Sequence, residues 1–383
     1  MHRGSLSALT VSALIACSGV VAGCGESSSE PSADAAGAGS APGVDEVRSE
    51  IAGFMRIPEF EPPGPPFDIS SAKGKKILNI PASSANPFLA SIDEGMQEVA
   101  RMAGIDWTQY ENQGDPADWG RGVEQAVTQG ADVIILNAPD ANLLGPQLKR
   151  ARRAGVKIVS AHLYDEDMEL PKEVDAFSFA PFIEAAELEA KWTIADSEGK
   201  AEALLVSSND FDVSPVQRDA MLEVFEKRCP DCSTKVVDVP SKDWASKLQT
   251  TVQSELLANP RITHVIPFYD SMAQFVGAGL QSASNGSDVK VVTFNGTPSI
   301  LKMLQDEKSV VMDVGEDPRW IGWQTMDQVM RLLTGEPLVR AENAMRIFDR
   351  SNVDEAGTPP KLGQGYGDAY VGGFKELWGL SGQ

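Results

Sequence analysis

The feature that most constrains this chain is a series of short apolar strands separated by helix-length amphipathic segments. Val133-Ile134-Ile135-Leu136 is apolar without a break. A strand apolar at every position has no face for water, so it belongs in a parallel sheet covered on both sides. Around it the pattern alternates. Strands are expected at 76–80, 107–111, 131–136 and 156–161, with helices at 86–103, 118–128 and 142–154 between them. Asp118 is placed to cap the second of these helices. The alternation then repeats. Strands are expected near 176–179 and at 203–207, 235–239, 263–268 and 289–294, with helices at 183–197, 216–229, 243–258 and 272–282. The halves echo each other: Asp118-Trp119 opens a helix leading to Asp132-Val133-Ile134, and Asp243-Trp244 opens one leading to His264-Val265-Ile266. The expected architecture is α/β, two similar doubly wound parallel-sheet lobes joined by a hinge. The first lobe is assigned residues 73–180 and 317–340, the second residues 181–316 and 341–383.

The N-terminus precedes that body and differs from it. Residues 1–23 carry one base, Arg3, no acid, and an apolar stretch from residue 6 to 21. This is the pattern of an export signal, and it is short for a membrane span. It ends in Val21-Ala22-Gly23-Cys24, which resembles a bacterial lipobox. Leu14-Ile15-Ala16-Cys17 is a second match that leaves a shorter apolar core. Cys24 is therefore the expected lipidation site. An uncleaved anchor and a plain secreted protein are the alternatives. From residue 25 to 43, 16 of 19 residues are Gly, Ala, Ser or Pro. Residues 24–72 as a whole read as a disordered tether, with one short helix near 44–54 and a stiff proline segment after it.

Charge and cysteines narrow the class. With 33 Lys and Arg against 55 Asp and Glu, the net charge is -22. Phosphate contacts need a cationic face, so nucleic acid is excluded as a partner. Outside the N-terminal segment the cysteines are Cys229 and Cys232. In an oxidising compartment they are expected to form a local disulfide. A redox pair usually opens a helix, whereas this one closes a helical segment. A zinc site needs two more ligands, and none is evident nearby. No metal or cofactor is expected.

The ligand site follows from topology, because open parallel sheets bind ligands beyond the carboxyl ends of their strands. Those ends bring in Ser83, Ser84, Asn86 and Phe88, then Asn137 and Asp140, then His162 and Tyr164. In the second half they bring in Ser208, Asn209 and Asp210, then Tyr269 and Asp270, then Asn295 and Glu316. Amides, carboxylates and aromatics suit a neutral, hydroxyl-rich small molecule. Asp140 and Asp270, each standing before a helix, also read as caps.

Ile80-Pro81-Ala82-Ser83-Ser84-Ala85-Asn86-Pro87-Phe88-Leu89, together with residues 129–137, 154–159 and 291–298, resembles the ribose-binding-protein type of periplasmic solute-binding proteins. The resemblance covers residues 74–336. It implies a sugar held by Asn86 and Phe88, by Arg218, by a stacking Trp244, and by Tyr269, Asn295 and Glu316. It also implies a monomer that closes by a hinge and delivers ligand to an ABC permease. The chain departs from the pattern in places. His162-Leu163 stands where many relatives have Asp-Arg, Tyr269 where they have an amide, Asn295 an aspartate, and Glu316 a glutamine. Glu316 is expected either to pair with Arg218 or to meet an amino group of the ligand. A modified sugar or polyol therefore fits better than ribose.

The function expected is an extracytoplasmic, lipid-anchored binding protein for a sugar-like ligand. A receptor presenting its closed state to a membrane signalling protein is the alternative. An enzyme is not expected, since His162 and His264 are single and no nucleophile–base pairing appears. Gly363-Gln364-Gly365-Tyr366-Gly367 reads as turns, and Tyr370, Phe374, Leu377 and Trp378 as one face of a last helix.

Overall fold

The computed structural model describes residues 43–340 and 343–380. The expected signal segment, Cys17, Cys24 and the tether up to residue 42 lie outside the described residues. Two sheets organise the chain. The first has the order β2-β1-β3-β4-β5, built from β1 (Lys76–Pro81), β2 (Asp106–Gln109), β3 (Val133–Asn137), β4 (Lys157–Ala161) and β5 (Ala176–Ser178). All its pairings are parallel. The second has the order β11-β10-β9-β8-β6-β7, built from β6 (Glu202–Ser207), β7 (Ser233–Asp238), β8 (His264–Pro267), β9 (Lys290–Asn295), β10 (Val310–Glu316) and β11 (Met345–Asp349). Without β11 the second order, 7-6-8-9-10, repeats the first, 2-1-3-4-5. The duplication expected from the sequence is thus present in the topology.

Local chemistry sets the helix limits. Asn86 caps α2 (Pro87–Ala103), its Oδ1 accepting from the amides of Phe88 and Leu89, and Gly104 ends the helix in the left-handed region. α3 (Pro116–Gln129) is capped by Asp115 rather than by Asp118. Pro116 at the first helical position moves the start back one turn, and Asp118 instead pairs with Arg121. α4 (Gly145–Arg153) completes the first lobe's central helices. The second lobe carries α5 (Phe182–Asp196), α6 (Ser214–Arg228), α7 (Gln249–Ala258), α8 (Asp270–Ser282) and α9 (Pro298–Gln305). α10 (Pro318–Thr334) returns to the first lobe and lies along α2. Cys229 and Cys232 are joined in a disulfide between α6 and β7.

Two expectations about domain limits need correction. Residues 43–72 are ordered. α1 (Val44–Ala52) buries Val44, Val47 and Ile51 against α5 in the second lobe. Arg228 reaches Glu50 at 2.9 Å and Glu46 at 3.2 Å. The chain then crosses to the first lobe. The Ile347 amide donates to the Phe54 carbonyl, and the Phe67 amide to that of Leu377, each at 2.8 Å. Phe60, Phe67, Ile69 and Ala72 join the first lobe's core. Prolines and small residues mask these apolar anchors in composition, yet each finds a tertiary partner.

The C-terminal stretch also divides. β11, an unexpected strand, extends the second sheet antiparallel to β10. α11 (Ala369–Leu377) packs in the first lobe, with Trp320 stacked on Tyr370 at 4.7 Å and Trp323 on Trp378 at 5.7 Å. Among the described residues the chain passes between lobes five times: before β1, after β5, after β10, before β11 and before α11. A groove of about 770 Å³ runs between the N-terminal crossing and α10, with Phe60, Trp320, Gln324 and Asn343 in its walls.

Candidate functional site

Both switch points, β1/β3 in the first lobe and β6/β8 in the second, open at the carboxyl ends of their strands. Of the predicted residues, Phe88, His162 and Glu316 form one group and Trp244 and Tyr269 another.

The first group lies at the hinge. His162 follows β4 and Glu316 ends β10, so they come from different lobes. His162 Nε2 is 2.9 Å from Glu316 Oε2, and both side chains are buried. Glu316 Oε1 accepts from Asn343 Nδ2 at 3.3 Å, and Asn343 Oδ1 accepts from Gln324 Nε2 at 2.9 Å. The His162 ring lies 5.2 Å from Phe88 and 5.7 Å from Phe182. His162 holds a left-handed φ of 52° and Asn295 a φ of 137°. Non-glycine side chains seldom adopt such angles, and each costs roughly 1–3 kcal/mol. Asn86 is exposed at the same rim, its carbonyl oxygen committed to the helix cap.

The second group lies on the second lobe. Trp244 opens a π-helical turn, Trp244–Leu248, ahead of α7. Its Nε1 donates to Ser208 Oγ at 2.7 Å and to the Val239 carbonyl at 3.0 Å. Tyr269 Oη donates to Gln217 Oε1 at 3.1 Å and lies 3.0 Å from Ser214 Oγ. With its one proton spent on Gln217, the phenol accepts from Ser214. Burial pushes the Tyr269 phenol well above its ordinary pKa, so it stays protonated.

Some expected contacts are not made. Arg218 does not pair with Glu316. Its Nε and Nη2 both reach Asp219 Oδ1, at 2.8 and 2.7 Å. The neighbouring carboxylate is simply closer, and Glu316 is satisfied at the hinge. Asp140 caps the turn Ala141–Leu144 as expected and also accepts from Tyr164 Oη at 2.8 Å. Asp270 sits inside α8 rather than before it, accepting from the Thr297 amide at 2.7 Å. His264 is a core residue bonded to Asp196 and Thr263, each at 2.9 Å. Among the described residues, no cluster of three His, Cys, Asp or Glu is placed to hold a metal ion.

Sequence reasoning missed Phe211, Phe182, Gln217, Asn343 and Asp93. Phe211 stands one residue past the expected Ser208-Asn209-Asp210, so loop position alone is a signal for it. Asp93 lies on α2, and nothing in its periodicity marks it. In the fold it accepts from Asn79 Nδ2 at 2.6 Å, Asn137 Nδ2 at 2.8 Å and Gln109 Nε2 at 2.7 Å, tying α2 to three strands. Burial pushes its carboxyl up to about 6, against the pull of those amides.

Comparison with known proteins finds relatives of this chain over most of its length. The ribose import binding protein of Bacillus subtilis is 25% identical over 279 residues, covering 72% of this chain and 88% of that protein. Its Escherichia coli counterpart is 24% identical over 270 residues, covering 70% and 88%. Among solved structures, a periplasmic ribose ABC transporter protein of Conexibacter woesei superposes with a TM-score of 0.65 at 23% identity, covering 74% of this chain and 95% of that one. A Mycobacterium smegmatis ABC transporter solute-binding protein with bound glycerol gives a TM-score of 0.64 at 22% identity, covering 76% and 99%. Both superpositions speak to the fold. Residues 77–337 match the model of the periplasmic binding protein domain, so the chain belongs to that family.

Proposed function

We propose that this protein is an extracytoplasmic substrate-binding lipoprotein of an ABC importer. It takes a sugar or sugar-like polar molecule between its lobes and closes about the hinge for delivery to a permease. The observation that carries the reading is the placement of the two groups. Asn86, Phe88, His162 and Glu316 gather at the hinge and first-lobe rim. Trp244 and Tyr269 gather on the second lobe, with Arg218 on α6 and Asn295 at the end of β9. A ligand touching both groups stabilises the closed state by contacts that the open state lacks. The names of the relatives, which are ribose import proteins, support a sugar-like ligand.

Export, lipidation at Cys24, a monomeric state and the absence of turnover complete the proposal. Among the described residues, no helix is long and apolar enough to cross a membrane. In this reading attachment is through the lipidated Cys24. A thermal-shift screen of sugars and polyols tests the function. A ligand at 100 times its dissociation constant adds about 2.7 kcal/mol of stability. No shift with any member would overturn the proposal. Release of the Cys24→Ser protein from the membrane fraction tests the anchor.

A further inference from the structure

The second-lobe wall of the cleft is built from three rings rather than one. Phe211 follows β6 and Tyr269 follows β8, so they face each other across that lobe's switch point. Their centroids are 5.3 Å apart, edge to face. Trp244 completes a triangle, 6.1 Å from Phe211 and 6.2 Å from Tyr269. Phe211 is 40% exposed although it is a large apolar side chain.

The loop that carries Phe211 is pinned. The Asn209 amide donates to Asp238 Oδ1 at 2.8 Å, the Ser241 amide and hydroxyl to Asp210, and the Phe211 amide to the Ser208 carbonyl at 3.0 Å. The ring is therefore presented at the rim, not left loose.

The polar handles of the triangle point inward. The Trp244 N–H is spent on Ser208 and Val239, the Tyr269 hydroxyl on Gln217 and Ser214, and Phe211 has none. What faces the cleft is ring surface, which a hydroxyl cannot hydrogen-bond. A bare sugar offers apolar surface only on its C–H faces, while an aromatic substituent adds ring surface that can pair with these rings. The basic groups Arg218 and His162 are already engaged: Arg218 is bonded to Asp219 and His162 to Glu316, so neither is set toward an anionic ligand.

We infer that the site selects an uncharged glycoside with an apolar or aromatic substituent over the bare sugar, and that Phe211 sets this preference. The inference rests on the proposed sugar-binding function. The polar hinge group takes the sugar's hydroxyls, and the three rings take the substituent.

Calorimetry on the purified protein tests it with matched probes: D-ribose and D-glucose, each against its phenyl β-glycoside, plus D-glucuronic acid. The phenyl glycoside of at least one sugar is expected to bind about tenfold tighter than its parent, an aromatic-pair contribution of ordinary size. Phe211→Ala is expected to bring the ratio of glycoside to parent affinity down toward one, whatever happens to the parent's own affinity. Phe211→Leu, which keeps apolar bulk, retains part of the gain. Parent sugars binding as tightly as their glycosides, or a ratio unchanged in Phe211→Ala, would overturn the inference while sugar binding stands. Glucuronic acid binding as well as glucose would overturn its charge selectivity. If no sugar or glycoside binds, the sugar-binding function itself falls, and this inference with it.

Discussion

His162 Nε2 and Glu316 Oε2 meet at 2.9 Å across the hinge, one from the end of a first-lobe strand and the other from the end of a second-lobe strand. The bond ties one lobe to the other, and both partners are buried. His162→Ala leaves the Glu316 carboxylate with Asn343 alone, a loss of about 2–3 kcal/mol. Glu316→Gln keeps an acceptor for His162 but sets its NH2 against the Asn343 Nδ2 donor, and is expected to cost about 1 kcal/mol for the bond given up. Urea unfolding of the two variants checks the order. Equal losses would mean that the buried charge is not what the histidine satisfies.

Trp244→Ala should abolish ligand binding while the protein stays folded. The indole is half-buried, and its removal leaves Ser208 Oγ bonded to the Val239 carbonyl at the same place. Binding is read by calorimetry and folding by circular dichroism. Retained affinity in Trp244→Ala would detach the second-lobe rings from the ligand.

Stability should peak on the acid side of neutrality. Burial raises Asp93, Asp270 and Asp317 to about 6. Their unfolded value is about 3.9, so the folded state binds protons more readily. The stability they contribute is complete below about 4 and is lost as pH rises through about 6. Asp132 and Asp196 act in the opposite sense. Partial burial opposes their ionisation, yet hydrogen bonds from lysine and histidine partners draw both below the usual range. What they contribute is lost as pH falls below about 4. A melting-temperature maximum near pH ~5 is expected. Asp93→Asn should flatten the neutral-side decline by about 3 kcal/mol or less.

Gly373 in α11 offers a test of the N-terminal crossing. Alanine normally improves a helix by about 0.5–1 kcal/mol. Here a Cβ would overlap the Phe60 ring. Gly373→Ala is therefore expected to destabilise, and Phe60→Ala in the same chain to recover part of the loss. Calorimetric melting of the single and double variants measures the coupling. A stabilised single variant would show that the crossing does not press on α11.

Much of this fold is visible in one dimension because its strands are short, parallel and doubly covered. Val133-Ile134-Ile135-Leu136 states its own burial, and Asn86-Pro87 marks a helix start by local chemistry alone. The cleft loops follow from the same logic, since they are whatever comes next after each strand. Other features depend on partners distant in the chain. β11 is legible only beside β10, and α1 only on α5, because an isolated amphipathic segment of nine residues says nothing about what covers it. The direction of a side chain's polar end is equally nonlocal. Topology led to the expectation of Tyr269 and Glu316 in the cleft, and the family resemblance implied Arg218 there. Only the packed structure turned the arginine to Asp219, the phenol to Gln217 and the carboxylate to His162, since hydrogen bonds go to the nearest competent group in space.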